Sequence, residues 1–180
     1  MAQTGKRLEK IKVTDEEVEI HYSVPKKGDI RDLVSVKSED RPIPQFRMAL
    51  QAFDQYVRRL CEWPETVKGE DSGISVSIVH ISYNDKGVRS IIVTAKKELA
   101  GSNGPFCFNT PLVTEEEDSK YFDSETSEKL GELMKQANAY LDGERLQGEL
   151  KFDEKGKKGE KAKSDKEEKT PLKVIPGTKD

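Results

Sequence analysis

Alternation of apolar and polar residues marks the first part of the chain. Apolar side chains occupy every second position from 18 to 24, the period of a β-strand with one buried and one solvated face. Residues 8–13 show the same alternation less regularly, and the turn-forming sequence PKKGD precedes a third strand-like segment at 30–36. Together these segments predict three consecutive strands that form an antiparallel meander.

The period then changes to one typical of a helix. From residue 44 to residue 62 apolar side chains recur every three or four positions, which predicts an amphipathic helix. Pro44 is compatible with a first helical turn, and Trp63 followed by Pro64 ends the helix, because a residue before proline avoids helical geometry. The predicted buried stripe consists of Phe46, Leu50, Phe53, Val57 and Leu60.

The middle of the chain has the strongest strand character. Residues 74–83 and 88–97 are rich in β-branched side chains and flank the turn sequence NDKG. Both faces of these segments carry apolar residues, which favours a position at the centre of the sheet. After the loop LAGSNGP, residues 106–109 predict a further short strand.

A second helix is predicted from Ser124 to Asp142. Ser124 is a suitable N-cap, and Gly143 is a typical residue after the last helical turn. The resulting order is β-β-β-α-β-β-β-α. This order predicts an α+β fold, in which an antiparallel sheet of about six strands carries two helices on one face. The two β-β-β-α halves suggest an internal duplication, although no repeat of individual residues supports it.

Charge is distributed unevenly along the chain. Residues 151–180 contain ten lysines and seven acidic residues, so they carry about +3 of a chain whose net charge is −3, and residues 1–150 carry about −6. The last segment also has too few apolar groups to offset the entropy of ordering. We therefore predict a flexible N-terminus at 1–7, a single domain at 8–150 and a disordered tail at 151–180.

The composition also bears on where the protein acts. Apolar runs are no longer than three or four residues, far short of the roughly 20 that span a bilayer, and the N-terminus lacks an apolar core segment typical of a signal peptide. Two cysteines are fewer than a small secreted scaffold usually carries. The sequence favours a cytoplasmic protein that does not interact with membranes.

Catalytic chemistry finds little support in the sequence. His21 lies on the predicted wet face of the second strand, His80 lies inside a central strand, and Cys61 and Cys107 lie in segments predicted to be core. A catalytic dyad needs a third orienting group, and no family signature of that kind is present. We predict structural roles for all four residues and do not expect an enzyme.

Metal and cofactor sites are not expected either. The acidic run at 115–118 lacks the spaced glycine pattern of a calcium loop, so a solvated acidic loop is the favoured interpretation. The glycines of LAGSNGP do not form a phosphate-binding motif.

Nucleic-acid binding is one of two functional hypotheses left open. An acidic domain repels phosphate, so affinity would have to come from the tail or from a local basic patch. Tyr83 and Phe106 are candidates for stacking on bases. The candidate nucleic-acid contacts are Arg47, Arg58, Arg59, Tyr83, Arg89, Lys96 and Lys97. A mixed-charge surface over an aromatic core is the alternative interpretation.

The tail contains a short apolar motif, PLKVIPG, at residues 171–177. Its candidate docking residues are Leu172, Val174 and Ile175, which are suited to adding a strand to a partner's sheet edge. An evolutionary remnant or an expression-derived extension without a partner is an equally acceptable interpretation.

One resemblance accompanies these patterns. The segment from Ser90 to Pro111, especially SNGPFCFNTP, together with NAYLDGERLQGEL at the end of the second helix, resembles small uncharacterised proteins encoded by bacteriophages and prophages. The resemblance covers residues 8–150 and excludes the tail. It implies a bacterial host cytoplasm, and it implies neither an activity nor functional residues.

Two functions are therefore expected from the sequence, in this order. The first is a non-catalytic binding or accessory protein, phage-encoded, that acts through a protein partner. The alternative is an accessory protein of phage replication or recombination that binds single-stranded nucleic acid. The sequence does not determine the oligomeric state.

Overall fold

The computed structural model describes residues 5–26, 30–63, 73–99, 101–116 and 119–146. The predicted tail at 151–180, with its motif at 171–177, lies outside these residues, as do residues 1–4 of the predicted N-terminal segment.

All strands of the described part belong to one antiparallel sheet. The strands are β1 (Arg7–Val13), β2 (Val18–Pro25), β3 (Arg31–Ser38), β4 (Ile74–Tyr83), β5 (Arg89–Lys97), β6 (Phe106–Asn109) and β7 (Val113–Thr114). They lie side by side in the order β3-β2-β1-β4-β5-β6, and β7 pairs with β5. The predicted meander and the predicted central hairpin are both confirmed. The sequence does not predict β7, because two residues are too few to show a period.

The first helical segment is divided into α1 (Pro44–Gln51) and α2 (Asp54–Leu60), so the prediction of one continuous helix from 44 to 62 is wrong. At the division the Phe53 N–H donates to the Leu50 carbonyl at 3.2 Å, three residues earlier, as in a 3₁₀ turn. The Gln51 amide nitrogen donates to the Ile74 carbonyl at 2.6 Å, and its amide oxygen accepts the Val76 N–H at 3.2 Å, so the end of α1 is bound to β4. Phe53, in the turn between the helices, is fully buried. The apolar spacing continues across the break and therefore hides it.

The last helix, α3 (Ser124–Leu141), begins as predicted, but its cap is Asp123 and not Ser124. The Asp123 carboxylate accepts the Thr126 N–H at 2.8 Å, which satisfies one of the amides left open at the helix start. Gly143 follows the helix with φ +105°, a left-handed conformation that glycine adopts without strain.

The hydrophobic core lies between the sheet and the three helices. Phe46, Phe53 and Tyr56 of the first helical segment and Leu130 and Leu133 of α3 are almost completely buried. The sheet contributes Ile11, Ile20, Val79 and Ile91, which are fully buried. The predicted α+β fold is thus confirmed, with helical segments packed on one face of the sheet. We call the other face of the sheet the open face. None of the described helices is long and apolar enough to cross a membrane.

Candidate functional site

Basic side chains are concentrated in two regions of the described structure, and the first is on the open face. Strand register places Lys12 of β1, Glu19 of β2 and Lys37 of β3 directly opposite one another. The Glu19 side chain is only 8% exposed, and its carboxylate lies 2.9 Å from Lys10 Nζ and 2.6 Å from His21 Nε2. Lys12 and Lys37 approach the same carboxylate at 3.8 and 3.9 Å. We call these five residues the Glu19 cluster.

The electrostatics of the Glu19 cluster are those of a stabilising network. The hydrogen bond from Lys10 lowers the pKa of Glu19 to about 2, although burial opposes the change. Lys12 also pairs with Glu17. His80 lies opposite Lys10 on β4, and its pKa is lowered, first by burial and then by Lys10 and His21. The lysines of this region therefore form ion pairs with the protein's own carboxylates.

The two histidines lie where the sequence predicts them. His21 is on the open face and His80 is in a central strand. Within the described residues, no three side chains of the His, Cys, Asp and Glu types are placed to hold a metal ion.

The second basic region lies on the helix side, at the end of β5, and contains stacked aromatic rings. The Trp63 and Phe108 ring centroids are 5.2 Å apart with an interplanar angle of 74°, and Phe108 stacks on Phe106 at 5.5 Å and 14°. Lys97 Nζ lies 3.9 Å from the Trp63 ring centroid. Phe106, at the end of the stack, is 51% exposed. We call these four residues the aromatic corner.

Local backbone geometry holds Trp63 in this position. After α2 the Glu62 N–H donates to the Arg59 carbonyl at 3.2 Å, and the Trp63 N–H donates to the Arg58 carbonyl at 3.1 Å. Glu62 has φ +53°, so it takes the left-handed position that ends many helices and is usually occupied by glycine. This turn directs Trp63 towards β6.

A cleft of about 630 Å³ adjoins the aromatic corner and shares Trp63 with it. Its lining residues are Gln55, Arg58, Arg59, Glu62, Trp63, Lys120, Tyr121 and Glu125. Arg59 pairs with Asp123 at 2.5 Å and donates to Thr126 Oγ1 at 3.0 Å, and the Asp123 hydrogen bond raises the pKa of Arg59. Lys120 Nζ lies 5.0 Å from the Tyr121 ring centroid.

The structure separates the seven candidate nucleic-acid contacts into three places. Arg58, Arg59 and Lys97 lie at the cleft and the aromatic corner. Arg47 and Lys96 line a second cleft of about 350 Å³, where Arg47 pairs with Asp15 at 3.0 Å.

Tyr83 and Arg89 form the third place, and both are engaged in structural contacts. The Tyr83 hydroxyl donates to the Leu8 carbonyl at 3.1 Å, and burial raises its pKa. Arg89 pairs with Glu115 at 2.5 Å and donates to Ser127 at 2.8 Å. The acidic loop therefore contributes Glu115 to a structural ion pair.

Sequence reasoning did not identify Trp63, Lys120 and Tyr121 as functional candidates. The sequence marks Trp63 only as a helix end, and it carries no signal that brings Trp63 to Phe108, which lies 45 positions later. Phe106 is a stacking candidate from the sequence, and its exposed ring suits that role.

The two cysteines differ in exposure. Cys107 is exposed, so the prediction that it belongs to the core is wrong. It alternates with Phe106 and Phe108 on β6 and lies opposite Lys96, which places it on the open face at the sheet edge. Cys61 is partly buried, and burial raises the pKa of its thiol.

The docking candidates Leu172, Val174 and Ile175 lie outside the described residues. Comparison with family models, curated proteins and solved structures finds no match to this chain.

Proposed function

We propose that the chain is a non-catalytic accessory protein, encoded by a phage and acting in the cytoplasm of its bacterial host, that binds single-stranded nucleic acid at the aromatic corner. The observation that carries this proposal is the stack of Trp63, Phe108 and Phe106, which ends in a half-exposed ring opposite Lys97. Single-strand binders combine exposed aromatic rings with nearby cations, because every base has a face that stacks and every nucleotide carries a phosphate.

The charge of the domain limits the strength of this binding. With about −6 on residues 1–150, long-range attraction does not bring the strand to the surface. Affinity depends on the local cations Lys97, Arg58 and Lys120, so it falls steeply with added salt.

A titration of a labelled single-stranded oligonucleotide by fluorescence anisotropy tests the proposal. Phe106→Ala removes the exposed ring and weakens binding about 5- to 150-fold, which corresponds to the 1–3 kcal/mol that base stacking contributes. Leu112→Ala is the matched control, because Leu112 is also an exposed apolar residue, at 57%. Equal binding by both variants, or no binding by the intact chain at low salt, contradicts the proposal.

A second candidate function, binding of a protein partner, has its own observation. In the described sheet β3 is an edge strand that pairs only with β2, and Ile30 and Leu33 beside this edge are 65% and 64% exposed. An edge strand with exposed apolar side chains is suited to receive an added strand from a partner.

Affinity capture with two double variants distinguishes this candidate. Ile30→Asp with Leu33→Asp disrupts the edge, whereas Met48→Asp with Leu112→Asp places the same charges at exposed apolar positions outside the strands. If β3 binds a protein partner, the intact chain and the Met48→Asp, Leu112→Asp control both capture that partner, and the Ile30→Asp, Leu33→Asp variant does not. If the intact chain and both double variants capture the same proteins, binding of a partner at the β3 edge is excluded.

A further inference from the structure

We infer that the cleft beside the aromatic corner holds a nucleoside monophosphate, with the phosphate among Arg58, Arg59 and Lys120 and the base between Trp63 and Tyr121. This inference rests on the proposed function and adds a defined subsite to it. The same chemistry is present in the terminal phosphate of a single strand and in a free nucleotide.

The size and lining of the cleft suit such a ligand. A volume of about 630 Å³ lies within the range of roughly 300–1,000 Å³ typical of small-molecule sites. Three cations and two aromatic side chains line the cleft together with the amide of Gln55, which has both a donor and an acceptor for a base edge.

Arg59 is prepared to donate to a phosphate. Its Nη1 donates to Asp123, and its Nη2 donates to Asp123 and Thr126, which fixes the guanidinium plane. Five N–H groups are available on a guanidinium, so Nε–H and one Nη1–H remain without a partner among the described residues. A guanidinium held in place by the protein loses little entropy when it binds phosphate.

Among the described residues, the other charges of the cleft favour an anion. Glu125 is paired with Lys129 at 2.7 Å, and Glu62 is exposed, so water screens its charge. Lys120 makes no ion pair with any described residue. Arg58 is only 9% exposed, and a cation in such surroundings acts more strongly on an anion than one in open water.

Trp63 provides the readout for a test, because it is the only tryptophan of the chain. The full-length protein is titrated with a 5′-phosphorylated oligonucleotide, the same oligonucleotide without phosphate, a nucleoside monophosphate and the corresponding nucleoside, while Trp63 emission is recorded. We expect the terminal phosphate to increase strand affinity about tenfold, as hydrogen bonds to a charged group do. The free monophosphate quenches Trp63 and competes with the phosphorylated strand, and the nucleoside does not.

Lys120→Gln removes a cation from the cleft, and Lys135→Gln is the matched control, because the Lys135 side chain is 73% exposed on α3. We expect Lys120→Gln to abolish most of the gain from the terminal phosphate and Lys135→Gln to leave it unchanged. Equal affinity for both oligonucleotides overturns the subsite but leaves strand binding at the corner intact. If the monophosphate binds and neither oligonucleotide does, the subsite stands and strand binding at the corner is excluded.

Discussion

The Glu19 cluster and the aromatic corner both place lysines on the same sheet, three in the first and one in the second, yet these lysines have different surroundings. On the open face Lys10, Lys12 and Lys37 all lie within 4 Å of one buried carboxylate. At the corner Lys97 lies on an indole ring and pairs with no described carboxylate. A lysine count alone would rank the open face as the better anion site, and the geometry reverses that order.

The difference shows how the protein's own carboxylates determine what a cation can do. A lysine that neutralises a buried glutamate stabilises the sheet, and a ligand phosphate has to compete with that glutamate for it. A lysine on an aromatic face keeps its charge for an incoming anion, and its donors are not saturated. We therefore assign stability to the Glu19 cluster and propose binding at the aromatic corner.

The largest effect on stability is expected for Glu19→Gln. This variant leaves three lysines without their shared counter-charge, and we expect the free energy of unfolding to fall by roughly 1.5–3 kcal/mol, the range for a hydrogen bond to a charged group. Denaturant unfolding at neutral pH measures the loss. Glu16→Gln is the control, because Glu16 is an exposed carboxylate beside the same strand. Equal losses in the two variants would mean that Glu19 does not organise the open face.

The same carboxylate makes stability depend on pH. Its folded-state pKa is about 2 and its ordinary value is 4.5, so its contribution is complete above pH 4.5 and is lost as the pH falls towards 2. We expect the intact protein to lose more stability than Glu19→Gln over this interval. Thermal unfolding of both proteins between pH 5 and pH 2 measures it, and parallel curves would contradict the assignment.

An intermediate effect is expected at Asp123, which caps α3 and anchors Arg59. Asp123→Ala should lower the free energy of unfolding by about 0.5–2 kcal/mol, the range for loss of an N-cap. Asp123→Asn keeps a capping oxygen and removes the charge, so we expect it to cost under about 1 kcal/mol, as for a partly exposed ion pair. Chemical unfolding of the two variants separates the cap from the ion pair. Equal losses of stability in the two variants would show that the charge, which both variants remove, contributes more than the cap.

A small effect on stability is expected for Phe106→Ala. Half of this ring is exposed, so its removal should change the free energy of unfolding by less than about 0.5 kcal/mol. Thermal unfolding of Phe106→Ala and of Glu19→Gln measures how much each region contributes to stability. A loss as large as that of Glu19→Gln would make the corner a structural element.

The smallest change concerns the thiols and leaves the fold untouched. Cys107 is exposed, whereas Cys61 is partly buried and has a raised pKa, so Cys107 should be modified first. Timed reaction with a maleimide, followed by peptide mass analysis, gives the order. Faster modification of Cys61 would place the end of α2 in solvent and weaken the assignment of Trp63.

Much of this fold follows from periodicity, because a buried face imposes its spacing on the sequence. The alternation around Ile20 predicts the buried face of a strand, and the helical spacing around Leu130 predicts the buried face of a helix. Both residues belong to the same hydrophobic core. The break after Gln51 is not predictable in this way, since the apolar spacing from Leu50 to Phe53 and Val57 continues across it. Neither is the Asp123 cap, because Ser124 next to it is an equally good capping residue.

The candidate site is less predictable than the fold, because it depends on long-range contacts. The sequence identifies Arg58, Arg59, Lys97 and Arg89 as basic candidates. It does not show that the first three lie at the cleft and the aromatic corner, whereas Arg89 donates to Glu115 and Ser127. Trp63 reaches Phe108 only through the turn at Glu62 and the packing of β6. Such a cluster becomes visible only when the chain is folded.

The comparison of the two regions is tested most directly by the salt dependence of single-strand binding. We compare Lys97→Gln at the aromatic corner with Lys37→Gln on the open face. The Lys37 side chain is 62% exposed. A single phosphate contact contributes about 0.7 to the slope of log affinity against log salt concentration, so Lys97→Gln should reduce the slope by about that amount and Lys37→Gln should leave it unchanged. A reduced slope for Lys37→Gln, with the intact slope for Lys97→Gln, would place the strand on the open face and contradict the assignment.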